Sequence, residues 1–113
     1  MSLPEDIRNI TQEVSREGLL VQLIEQLNKD ARLIGLQLDL DTGMDVNALF
    51  TQLYQWITAL LSRDPGKVVD LLYRIDIPEN IFKNRLDAIS VEEVVELLIR
   101  RTWQKVRFRN RTQ

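Results

Sequence analysis

The sequence predicts an all-α fold, a compact bundle of five or six helices with a short extended crossover near residues 36–40. Three observations predict it. Apolar residues recur at helical spacing through most of the chain, helix-capping signals stand before several of these runs, and the apolar period drops to two in one place only, Leu36 to Leu40. At 113 residues, with 44% apolar and 28% charged residues, the chain has the length of one domain and the composition of an ordinary folded protein. The expected organisation is a single helical domain over residues 1–106 and a basic C-terminal extension over residues 107–113.

The elements follow in order. Ser2-Leu3-Pro4-Glu5 fits a capping box with proline early in the helix, and Ile7, Ile10 and Val14 continue at helical spacing. Ser15 and Gly18 mark a break, or a bend within one longer helix. Leu20, Leu23, Ile24, Leu27, Ala31 and Ile34 then line a second helix that stops near Gly35. Leu36, Leu38 and Leu40 alternate with Gln37, Asp39 and Asp41, the pattern of an extended segment with one buried face. Asp45 is the expected cap of a third helix whose broad stripe of Leu49, Phe50, Leu53, Trp56, Ile57, Leu60 and Leu61 places it at the centre of the bundle. Asp64-Pro65 ends that helix and opens a fourth, with Asp64 as cap and Val68, Val69, Leu71 and Leu72 facing inward. A weaker helical segment carries Ile81, Phe82 and Leu86. Ser90-Val91-Glu92-Glu93 is a second capping box, opening a last helix with Val94, Val95, Leu98, Ile99 and Trp103.

The chain has no Cys and no His. That removes disulfides, Cys/His metal sites, thiolate nucleophiles and imidazole acid–base chemistry, so a non-enzymatic protein with no cofactor and no metal is expected. Asp41-Thr42-Gly43 resembles the active-site turn of the retroviral-type aspartic proteases, which implies a homodimer sharing a carboxylate pair. Those enzymes are almost wholly β, and the glycine-rich flap and second apolar-glycine motif have no counterpart here. A turn leading into a helix is the plainer reading. Asp39, Asp41 and Asp45 also lack the EF-hand pattern, since its fifth, sixth and twelfth positions fall on Gly43, Met44 and Phe50. Asp64-Pro65-Gly66-Lys67 is no phosphate loop, for it lacks the glycine pair and the Lys-Ser/Thr ending. The N-terminal residues read as neither secretory signal nor transit peptide. With the longest uncharged run, Val46 to Ser62, broken by Asn47, Thr51, Gln52, Gln55 and Thr58, a cytoplasmic protein without membrane contact is expected.

Charge is unevenly distributed along the chain. The formal net charge of -2 divides into 9 basic and 17 acidic residues up to Ile99, followed by 6 basic and no acidic residues from Arg100 onward. Arg107, Arg109 and Arg111 around Phe108 make candidate nucleic-acid contacts, with phosphate neutralisation and an aromatic ring for stacking. The other reading is that this basic end, favoured at a helix C-terminus by the dipole, is self-neutralising, folding back on an acidic surface of its own kind, or docks to one on a partner. In the uncharged third helix, Phe50, Tyr54 and Trp56 are candidate residues of an interface with a protein partner or a second copy, a possible homodimer. Arg74, Asp76 and Glu79 are candidates for a structural ion-pair network reaching Arg100 or Arg101. The string Leu71-Leu72-Tyr73-Arg74-Ile75-Asp76-Ile77-Pro78-Glu79, with Gln104-Lys105-Val106-Arg107-Phe108-Arg109, resembles a family of small hypothetical bacterial proteins over roughly the second half of the chain. The resemblance implies a bacterial origin and no particular activity.

Overall fold

A computed structural model of the chain describes residues 5–82 and 89–111, with side chains described from Ile7 onward. Six helices and no strand are found among these residues: α1 (Glu5–Glu17), α2 (Leu20–Leu33), α3 (Val46–Arg63), α4 (Pro65–Arg74), the single turn α5 (Glu79–Phe82) and α6 (Val91–Arg111). The predicted capping box at residues 2–5, Leu86 and the last two residues of the predicted extension lie outside the described residues.

Three helices end in the same way. At α1, Gly18 N–H bonds Ser15 C=O and Leu19 N–H reaches back to Val14 C=O; Gly35 with Leu36 repeats this on Arg32 and Ala31 at the end of α2. Both glycines adopt positive φ, +68° and +78°, where a Cβ is strained. The first two helices are therefore separate, joined by a left-handed turn at Gly18. At the end of α4 the equivalent residue is Asp76, with φ of 65° and the same bonding of Asp76 to Tyr73 and Ile77 to Leu72. Aspartate is among the few side chains that enter this region at modest cost.

Helix starts follow local chemistry. Asp45 Oδ1 accepts Ala48 N–H at 2.8 Å, and Ser90 with Glu93 forms the reciprocal capping box, with Glu93 N–H on Ser90 Oγ at 3.1 Å. Asp64 departs from expectation. It makes no side-chain cap bond, and Pro65 at the first position, which has no N–H to satisfy, carries the start of α4 instead.

The core gathers Ile7 and Val14 of α1, Leu23, Ile24 and Leu27 of α2, Leu49, Leu53 and Ile57 of α3, Val68 and Leu72 of α4, and the long stripe of α6. The sequence places α3 at the centre; the structure gives that position to α6. With 21 residues it is the longest helix, and its buried line from Val94 through Leu98, Ile99, Thr102 and Trp103 to Val106 packs against α1, α2 and α3. Because Val106 is buried and the helix runs on to Arg111, Arg107 and Arg109 belong to α6 and do not begin a separate extension.

The Asp76 turn gives a test that separates backbone from ion pair. Asp76→Gly is expected to be neutral or stabilising by up to about 1 kcal/mol in urea unfolding, although it deletes an ion pair to Arg101, whereas Asp76→Val costs about 1–2 kcal/mol. A large loss of stability in the glycine variant would assign this position to the ion pair.

Candidate functional site

Two surfaces stand out: the seam where the basic half of α6 meets α1, α2 and α4, and the outer side of α3 with the extended segment beside it.

The seam is organised around Asp30, an acid on α2 that is 1% exposed. Its Oδ1 accepts Gln26 Nε2 at 3.1 Å and Arg74 Nε at 3.4 Å, and its Oδ2 lies 3.8 Å from Lys105 Nζ. One carboxylate thus joins α2, α4 and α6. Nearer the end of α6, Trp103 Nε1 donates to Glu13 Oε2 at 2.9 Å. The Arg107 guanidinium lies 3.4 Å from the same oxygen and 3.3 Å from Glu17 Oε2, with its carbon 5.9 Å from the Trp103 ring centroid. Arg109 Nη1 donates to Gln26 and Asn110 Nδ2 to Gln22, closing the last turn of α6 onto α2. Arg101 Nε donates to Ile75 C=O at 3.1 Å, satisfying a carbonyl at the end of α4, and its Nη2 lies 3.8 Å from Asp76 Oδ2.

The candidate network of Arg74, Asp76 and Glu79 is therefore distributed among different partners. Arg74 goes to Asp30, Asp76 to Arg101, and Glu79 accepts the Tyr73 hydroxyl. Partial desolvation, with the bond to Glu79 and its charge, holds that phenol above its ordinary value. The Tyr73 ring meets Phe82 edge-on at 5.3 Å between centroids. Asp30 is the residue that sequence reasoning missed. Its only sign was an acid at a position where the α2 stripe, Leu23, Leu27, Ala31, should be closing.

At α3, Phe50 is buried in the core, so it is not an interface residue; the helical stripe that proposed it was the core stripe itself. Tyr54 and Trp56 are half-buried. Trp56 Nε1 donates to Gln37 C=O at 3.0 Å, and Asn28 takes both the N–H and the C=O of Leu40, so the segment 36–41 hangs between α2 and α3. Leu38 and Leu40 are buried and Gln37 and Asp39 exposed, as the alternation predicts. A groove of about 490 Å³ runs between Gln37–Leu40 and the side of α3 carrying Gln52, Gln55 and Trp56.

In the Asp41-Thr42-Gly43 turn the Asp41 carboxylate is exposed and accepts Gly43 N–H at 2.8 Å. No group of three or more acids that would hold a metal ion occurs among the described residues. Arg111 and the 71%-exposed Phe108 form the outward end of α6. No helix among the described residues is long and apolar enough to cross a membrane. No family model, curated protein or solved structure matches this chain.

Asp30→Ala is expected to cost about 1–3 kcal/mol in urea unfolding; Asp30→Leu costs less, because Arg74 and Lys105 reach water once released. A double-mutant cycle with Lys105→Met then gives a coupling of about 0.5 kcal/mol or more if the ion pair contributes. At the other end, Glu13→Gln should cost under about 1 kcal/mol, since it keeps an acceptor for Trp103 and loses only a partly solvated ion pair, while Glu13→Ala costs more.

Proposed function

We propose that this protein acts without catalysis, as a cytoplasmic bacterial module working through protein–protein contact, including self-association over the outer face of α3. The observation that carries the reading is the uncharged character of that face. Thr51, Gln52, Gln55, Thr58, Ala59 and Ser62 are exposed, and no charged residue occurs from Val46 to Ser62. A helix face kept in water usually carries charge, whereas the centres of protein interfaces are depleted in it. Tyr54 and Trp56 stand half-buried at the margin of this face, and such rings are enriched at interfaces. The absence of Cys and His leaves carboxylates, amines and hydroxyls as the available reactive groups.

The seam bears on the alternative, a regulator that binds nucleic acid through Arg107, Arg109 and Arg111. Arg101, Lys105 and Arg107 are each matched by a carboxylate, which lowers the charge available to phosphates. The exposed Phe108 beside Arg109 and Arg111 favours that alternative.

Sedimentation velocity between about 10 and about 500 µM is expected to show weak self-association, and a Thr51→Lys, Gln55→Lys double variant to weaken it at least about tenfold, or about 1.4 kcal/mol. A clean monomer throughout removes self-association. Anisotropy with a labelled single-stranded oligonucleotide at low salt should show no binding, and strong salt-sensitive binding would favour the alternative instead.

A further inference from the structure

We propose that the groove between the segment 36–41 and α3 is a docking site for a basic stretch of another protein in extended conformation, bound by strand pairing along Asp39.

The first observation concerns backbone groups. In an extended chain the N–H and C=O of one residue point to the same side, and the side alternates from residue to residue. Leu36 N–H bonds Ala31 C=O and both polar groups of Leu40 bond Asn28, so the even-numbered residues of the segment address α2. Gln37 C=O accepts from Trp56, so the odd-numbered residues address α3. Asp39 shares that side, which is the side of the groove. Among the described residues neither the N–H nor the C=O of Asp39, nor the N–H of Gln37, has a hydrogen-bond partner. Asp39 is an exposed residue, and a donor and acceptor left without partners on one extended residue form the unit that an incoming strand pairs with. The side chains are arranged for it as well, since Leu38 and Leu40 anchor the segment in the core.

Charge decides the occupant. Asp39, Asp41 and Asp45 are exposed at this end of the molecule, and no Lys or Arg among the described residues pairs with any of them. Their carboxylates contact only neighbouring polar groups, Gln37 Nε2, Gly43 N–H and Ala48 N–H. The opposite wall, Gln52, Gln55 and Trp56, carries no charge. A second copy of this segment would bring three more carboxylates to the same place. A basic peptide is complementary to it, and complementarity of this kind steers encounter and fixes register. This inference rests on the reading of the protein as an interaction module; because Gln52, Gln55 and Trp56 belong both to the groove and to the proposed self-association face, binding is measured at a protein concentration where sedimentation shows monomer. A chain that is monomeric at every concentration and takes the peptide fails only self-association; one that associates at higher concentration but as a monomer ignores the peptide fails only this inference.

The test uses the full chain and a fluorescein-labelled peptide of alternating Lys and Val, followed by anisotropy at moderate salt. Saturable binding is expected, weakened at least about tenfold by Asp39→Lys and by Gln55→Arg, which places a cation in the groove. A peptide with proline at every second position should also lose at least about tenfold, because proline cannot donate to the pairing. Circular dichroism of both variants verifies the fold. The proposal is overturned by absence of saturable binding, by equal binding of the proline peptide or of a Glu-Val counterpart, or by folded variants that bind like the parent.

Discussion

The arrangement of the helices depends on one buried carboxylate. Asp30 sits on the core side of α2, where an apolar residue would ordinarily stand, and it needs cations that its own helix does not supply. Arg74 from α4 and Lys105 from α6 provide them. Both are long side chains that keep contact with water, so the charge is compensated without two fully desolvated ions facing each other. The geometric consequence exceeds the energetic one. The end of α4 and the second half of α6 must both come to the same point on α2, which fixes their register along it. The apolar stripe of α6 supplies the attraction and, through the interdigitation of its side chains, part of the register; the Asp30 contacts add a polar point that the three elements must share.

The remaining contacts of the seam follow from that placement. Once Lys105 is at Asp30, Arg107, two residues on and therefore on the other side of α6, meets Glu13 and Glu17 of α1, and the turn before brings Arg101 to the Ile75 carbonyl at the end of α4. The helix dipole favours this layout: α6 begins with Glu92 and Glu93 and ends with Arg109 and Arg111. The division of charge along the chain, acidic first and basic last, therefore has a structural use inside one molecule.

Much of the fold was legible because it is local. Alternation at Leu36–Leu40, the Asp45 cap, the Ser90–Glu93 box and the Gly35 stop all depend on residues within a few positions of one another, and the structure has each of them; Gly18, open between a break and a bend in the sequence, is a break. What was not legible depends on pairs far apart in sequence. Arg74 and Asp30 are 44 residues apart and Arg107 and Glu13 are 94, and no spacing rule links such partners. Phe50 shows the converse failure. Periodicity marks a residue as one of an apolar stripe, and a stripe faces the core and an interface with the same spacing. The hub role of α6 was hidden similarly, because α3 is more apolar while α6 is longer and reaches three helices.

The same accounting explains why the outward chemistry concentrates at the other end of the molecule. Arg101, Lys105 and Arg107 of α6 face Asp76, Asp30, and Glu13 with Glu17, which compensates these charges along the seam. The carboxylates of Asp39, Asp41 and Asp45 take part in none of this. They flank a segment whose backbone is held by side chains, Asn28 and Trp56, in place of a neighbouring strand. An extended backbone in an all-helical protein satisfies only the groups that such side chains happen to reach, and the rest stay with water or with whatever strand arrives. Here the unreached groups of Asp39, the uncompensated charge and the uncharged flank of α3 coincide.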